Sequence, residues 1–187
     1  MKLQYDGIII RDAEVHDAPL LAKWWNDGEV MAHAGFPDGL GTTSEKVEKE
    51  LLSHPGQRLM IEYEGESIGE MCYEPFKPGE KALCSGYVVK GNHGAAEIGI
   101  KICVPGRREK GLGRICLSML VKELFRLGFD EIILDTMVDN LRARHVYELI
   151  GFEILRVNEN IWTAPDGRSY SNVDYRLIPE RFNDFTR

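Results

Sequence analysis

Long apolar runs are missing from this chain of 187 residues. No segment approaches the roughly 18 consecutive apolar residues of a membrane-crossing helix, so no membrane partner is expected. The opening stretch MKLQYDGIIIRDAEVHD has a short apolar patch flanked by charge and no small-residue cleavage site, so it does not read as a secretory signal. Cysteine is sparse: Cys72, Cys84, Cys103 and Cys116 are widely spaced, with no C-x-x-C pair. That pattern argues against a zinc site and a disulfide framework. Small buried thiols account for it, and a reducing cytoplasm is the expected location. His16, His33, His54, His93 and His145 lack metal-ligand spacing, so no metal is expected. Excess positive charge is lacking as well. The 23 Lys and Arg are outnumbered by 30 Asp and Glu, leaving a net charge of −7. That balance disfavours nucleic acid, whose phosphates reward basic surfaces. An acidic body suits a cationic small molecule or a peptide amine instead.

What is present reads as one globular domain spanning 1–187, with 43% hydrophobic and 28% charged residues. GIIIRD at 7–12 predicts a first strand. Asp17 followed by Pro19 predicts the start of a helix through APLLAKWWN to about Asn26. GFPDGLGTT is turn chemistry, and Ser44 to Leu52 predicts a short second helix stopped by Pro55-Gly56. RLMIEYE and SIGEMCYE, joined by Glu64-Gly65-Glu66, predict a hairpin. KPGEK and GNHG are turns around a strand ALCSGYVVK. AAEIGIKICV alternates apolar residues at Ala96, Ile98, Ile100 and Ile102, the period of a strand. Past Pro105-Gly106 the period changes: Leu112, Ile115, Cys116, Met119, Leu120, Leu124 and Leu127 predict a helix that stops at Gly128. EIILDTMV reads as a buried strand. Asn140 then caps a helix LRARHVYELI that ends at Gly151. FEILRVNENIWTA and SYSNVDYRLI form two strands around Pro165-Asp166-Gly167. The fold class is α+β.

Two motifs carry chemistry. In RREKGLGR (107–114) two glycines sit among basic side chains, ahead of the long helix. A helix N-terminus offers unpaired N–H groups and partial positive charge, which suits phosphate. Gly111 and Gly113 would let the backbone approach, with Arg107, Arg108, Lys110 and Arg114 supplying charge. The Walker lysine and the third glycine of a dinucleotide fingerprint are absent, so this octet alone leaves an ordinary basic loop equally open. In the second motif, Asn140 and Tyr147 are seven residues apart, almost on one helical face with Ala143 and Arg144 between them. Val146, Leu149 and Ile150 would form the buried stripe, leaving Tyr147 to point into a cleft or to pack half-buried against the sheet.

R-x-x-G-x-G (Arg108 to Gly113) together with N-x-x-A-x-x-x-Y-x-x-x-G-F (Asn140 to Phe152) resembles the GNAT superfamily of acetyl-CoA-dependent N-acetyltransferases. The opening IIIRDAEVHDAPLLAKWWNDGEV resembles the branch with ribosomal-protein N-terminal and aminoglycoside acetyltransferases. The resemblance covers 95–153 firmly and the earlier residues loosely. It implies a mixed, mostly antiparallel central sheet flanked by helices. It implies acetyl-CoA as co-substrate, with its pyrophosphate on the amides of Arg108 to Arg114, Leu112 among them. The pantetheine arm would pair like a strand with the backbones of Ile100, Lys101, Ile102 and Val104. Asn140 and Ala143 would border the pantetheine, and Tyr147 the thiol.

Acyl transfer needs an amine freed of its proton, a stabilised oxyanion and a protonated leaving thiolate. Backbone N–H groups near Ile100 would serve the oxyanion. Tyr147, as general acid, would serve the thiolate. Glu97, projecting opposite Ile98 and Ile100, is the candidate base, with Glu70 and Asp135 behind it; ordered water would also suffice. Trp25 and Phe36 could line the acceptor pocket, although Trp24 and Trp25 also suit the core, and 35–41 reads as a lid. The acceptor is an amine of a protein N-terminus, an aminoglycoside, a polyamine or another small amine. The long terminal strands could pair two copies into a homodimer. A non-catalytic acyl-CoA-binding regulatory domain of the same fold is the alternative, and a nucleotide-binding module a poorer third.

Overall fold

Where apolar residues alternate, the chain is strand; where they recur every three or four, it is helix. The structure, a computed structural model, describes residues 1–83, 85–163 and 169–187. Cys84 and the turn expected at Pro165-Asp166-Gly167 lie outside the described residues. The strands are β1 (Lys2–Tyr5), β2 (Ile8–Asp12), β3 (Arg58–Tyr63), β4 (Glu66–Phe76), β5 (Lys81–Ala82), β6 (Tyr87–Val88), β7 (Ala95–Ile102), β8 (Glu131–Met137), β9 (Glu153–Thr163) and β10 (Ser169–Leu177). The helices are α1 (Ala18–Trp25), α2 (Gly28–Met31), α3 (Ser44–Ser53), α4 (Leu112–Arg126) and α5 (Leu141–Ile150).

The chain's contacts divide it into two compact units, residues 1–73 with 99–119 and residues 74–98 with 120–187. In the first, the strand order is β1-β2-β3-β4, all antiparallel, with the second half of β7 beside β4. That last pair approaches closely. A Cβ on Gly69 would stand 2.2 Å from the Lys101 carbonyl oxygen, so only glycine fits there. Leu21, Trp24, Trp25, Val47, Leu51 and Met60 form the core. In the second unit the first half of β7 runs parallel to β8, followed by β10 and then β9 in antiparallel order. The short β5-β6 pair packs Ala82 with Val89, Ala95 and Ile133. The class is α+β with a mixed, mostly antiparallel sheet flanked by helices, as the sequence reading expected.

Several elements differ from expectation. The strand read at 7–12 is the second arm of a hairpin. Asp6 and Gly7 both take left-handed φ values (44° and 76°), which closes a two-residue turn behind β1. Asp17 stands at the cap position of α1, yet its carboxylate makes no cap bond there. It accepts instead from both Arg11 terminal nitrogens (2.7 and 2.9 Å) and from the Glu14 amide (2.8 Å). The strand expected at ALCSGYVVK is broken into β5 and β6 around Gly86, whose φ is 71°. Cys103 and Cys116 are buried, and burial pushes each thiol up to about 12, consistent with inert core residues. Among the described residues no helix is long and apolar enough to cross a membrane.

Candidate active site

In the first unit, β7 leaves the sheet through Pro105–Arg107 and enters α4 at Leu112. Glu109 (φ 63°) and Gly111 (φ 77°) are left-handed, which turns the chain into the helix. A side chain at Gly111 would be strained by its φ, whereas a Cβ at Gly113 would meet nothing within 4 Å. The two glycines therefore differ in role: one makes the turn, the other leaves the helix mouth open. The first amides of α4 have no acceptor inside the helix by position, which is what suits a helix N-terminus to an anion.

The basic residues of the loop are not equivalent. Arg107 pairs with Glu64 (2.9 Å) and Glu66 (3.0 Å), with its guanidinium 5.3 Å above the Tyr63 ring. Arg107, expected to lend charge to a phosphate, thus also has two carboxylates as partners. Arg108 bends back to donate to the Ile102 carbonyl at 2.9 Å. Lys110 is exposed. Along β7, Ile100, Lys101 and Ile102 are half-buried. The Val104 amide donates to the Ile68 carbonyl (3.2 Å), which the Cys103 amide also reaches (2.8 Å). With that amide and the Ile102 carbonyl engaged inside the protein, less of this backbone is available to a ligand than expected.

Lys101 and Trp25 both converge on Glu70. This carboxylate is 1% exposed and accepts from Trp25 Nε1 (2.8 Å), Arg58 (3.0 Å) and Lys101 Nζ (3.1 Å). Burial alone would raise its pKa. The charges of Lys101 and Arg58 and the bonds from Trp25 and Lys101 outweigh it, so the carboxyl is held below the usual range. Glu70 is thereby a poor base and a good anchor. Trp25, expected to line an acceptor pocket, is 5% exposed, with Arg58 stacked 4.8 Å from its ring centre. Phe36, at 46% exposed, keeps a free face.

In the second unit, Asn140 caps α5 as expected: its Oδ1 accepts from the Ala143 amide (3.3 Å) and its Nδ2 donates to Thr136 Oγ1 (3.0 Å). Tyr147 does not stand apart from the core stripe. It is 7% exposed and packs against Phe152 and Tyr175 at ring distances of 5.8 and 5.7 Å, while Leu149, expected inside, is exposed. Burial and then the Asp135 charge raise its phenol well above the ordinary value, which keeps it protonated. Arg144 ties the helix to the sheet through Tyr175 Oη (3.2 Å) and the Val138 carbonyl (2.8 Å).

Glu97 is half-buried and accepts from the Leu83 amide at 3.0 Å. Burial raises its pKa, the Leu83 bond opposes this, and the charges of Asp135, Glu74 and Asp174 raise it further. Asp135 is raised in the same way by burial and by Asp174, against a 2.6 Å bond from Asn172. Sequence reasoning missed Asp174 and Asn172. The alternation of Asn172, Asp174 and Arg176 with Val173, Tyr175 and Leu177 marks a polar face, but nothing in it says that this face is covered.

The acetyltransferase (GNAT) family model matches residues 3–152. The [ribosomal protein bS18]-alanine N-acetyltransferase of Escherichia coli K12 is 33% identical over 64 residues, 34% of this chain and 43% of that protein's length. Less than half of that relative is therefore matched. A GNAT-family acetyltransferase from Bacillus anthracis superposes with a TM-score of 0.75 at 17% identity, covering 96% of this chain and 99% of that one. The Salmonella typhimurium protein yncA, solved with its cofactor acetyl-CoA, gives 0.70 at 18% identity, covering 92% and 94%. At these identities the structural likeness speaks for the fold. The family match spans most of the chain, from the first hairpin through α5 to Phe152, and both motifs fall inside it: this chain belongs to the acetyltransferase (GNAT) family.

Proposed function

We propose that the protein is an N-acetyltransferase that moves an acetyl group from acetyl-CoA to a primary amine. The observation that carries this reading is the mouth of α4. Gly111 turns the chain and Gly113 leaves open space before amides that suit a pyrophosphate, within a chain of the family. Acetyl-CoA supplies the activated thioester carbonyl. Arg108 to Arg114 hold its phosphates, with Lys110 as the exposed cation. Ile100 and Lys101 offer backbone groups to the pantetheine, and Asn140 and Ala143 border it. Glu97 takes the proton from the acceptor's ammonium; its raised pKa brings it nearer to that task than an ordinary carboxylate. The Tyr147 hydroxyl, kept protonated by burial, gives its proton to the departing sulfur and is restored by the second proton that the attacking nitrogen loses on becoming an amide. The acceptor is a small-molecule or peptide amine; the relative named [ribosomal protein bS18]-alanine N-acetyltransferase makes a protein N-terminus one such candidate.

The test is amine-dependent thiol release from acetyl-CoA, measured with an alanine-initiated peptide and with small amines. Tyr147→Phe should lower kcat on the order of 100-fold while leaving the acetyl-CoA Kd near its original value. Unchanged turnover would remove Tyr147 from the acid's role. Absence of release with every amine, together with no measurable acetyl-CoA binding, would overturn the whole reading.

A further inference from the structure

Glu97, Asp135 and Asp174 come from three adjacent strands of the second unit, and strand register puts them on one face. Glu97 pairs with Ile133 across β7 and β8, and Asp135 pairs with Asp174 across β8 and β10. Cross-strand partners share a face, as do residues two apart, so Ile133 and Asp135 carry the three carboxylates to the same side. Two carboxylates directly opposite one another are destabilising, and burial worsens the repulsion.

The neighbouring carboxylate on the same face shows what a satisfied arrangement looks like. Glu131 is 1% exposed and accepts from Tyr87 Oη (2.8 Å) and Arg176 (3.0 Å). Asp174 is equally buried, yet among the described residues its Oδ1 has no hydrogen-bond partner. Among the described residues its cation is Arg156, whose terminal nitrogen stays 4.0 Å away and donates instead to the Ser85 carbonyl at 2.8 Å. At that distance no hydrogen bond forms. Buried carboxyl oxygens are rarely left so, and the missing partner is a hydrogen-bond donor, preferably charged. Asp135 and Glu97 are half-buried, so two of the three residues keep some surface exposed to solvent. Among the described residues no group of three His, Cys, Asp or Glu side chains is arranged to hold a metal ion. An alkylammonium suits the cluster better: it donates in three directions and brings one positive charge to two opposed carboxylates.

We propose that Asp174 and Asp135 seat a second ammonium of the acceptor, so that the protein prefers diamines and longer polyamines to monoamines. This rests on Glu97 receiving the reacting amine. Glu97 lies at the level of Ile133, two residues or roughly 7 Å along the strands from the Asp135–Asp174 level. That offset matches the two ends of a short alkyl diamine, one nitrogen at Glu97 for reaction and the other at the aspartate pair for recognition.

The experiment compares 1,4-diaminobutane with butylamine, in thiol release from acetyl-CoA and in calorimetric titration without acetyl-CoA. Wild-type protein should favour the diamine by about tenfold or more in kcat/KM and in Kd, since one charge-assisted contact is at stake. In Asp174→Asn and in Asp135→Asn that ratio should fall towards one. Equal handling of the two amines by wild type, or a ratio retained in both variants, overturns the proposal. Thermal melting checks each variant's fold; should Asp174→Asn be unfolded, Asp135→Asn carries the comparison. Diamine-selective binding without thiol release from any amine would keep the cation seat and reject the transferase reading. Thiol release without diamine preference would do the reverse.

Discussion

Glu70 and Asp174 are both carboxylates at 1% exposure on interior strands, one in each compact unit, and they are treated in opposite ways. Glu70 accepts from a tryptophan, an arginine and a lysine, all within 3.1 Å. Asp174 faces another aspartate across the ladder, with a 4.0 Å arginine and, among the described residues, one oxygen left unpartnered. A buried charge with its donors inside the protein holds structure together. One whose donors are missing costs stability, and such a cost points to a partner from outside. Burial alone would not have told the two apart; the count of donors does.

The largest expected effect tests the structural half of this contrast. Glu70→Gln leaves Arg58 and Lys101 without their shared anion and should cost about 3 kcal/mol in urea unfolding. A loss under about 1 kcal/mol would mean that the network is dispensable.

The contrast should also appear as opposite pH slopes. Glu70 is held below the ordinary carboxylate value, so its contribution is complete above that value and lost as pH falls through the lowered one. Glu97 and Asp135 are raised, so their contribution is complete below the ordinary values of 4.5 and 3.8 and lost as pH rises through the raised ones. Relative to wild type, Glu70→Gln should thus close its stability deficit in acid. Glu97→Gln should gain between pH 4 and pH 7. Urea midpoints across that range would show parallel slopes if the comparison is wrong. The smallest effect belongs to Asp174→Asn. Removing a charge that has no good partner should leave stability within about 0.5 kcal/mol of wild type, or raise it. A large loss would show that Arg156 satisfies the carboxylate after all.

Much of the architecture was legible because it rests on local rules. The period change after Pro105-Gly106 gave α4, and Asn140 and Gly151 framed α5. The first hairpin was missed although Asp6-Gly7 is a turn signal, because the strand before it, KLQY, lacks a strong apolar alternation. The site was legible as motifs and less so as contacts. That Arg107 meets Glu64 and Glu66 of the β3-β4 hairpin was not legible in the sequence. Tyr147 reads as standing clear of the core until Tyr175, 28 positions later, packs on its ring. That Trp25 donates its indole N–H to Glu70, 45 residues on, was not legible either.

The sequence by itself determined the periodicities, the caps, the glycine turn into α4 and the two spaced motifs, since each depends on residues within a few turns of one another. Only the tertiary structure decided which charges are neutralised and which are left waiting. That choice depends on side chains brought together from distant strands, and electrostatic energy depends on distance and burial rather than on separation along the chain.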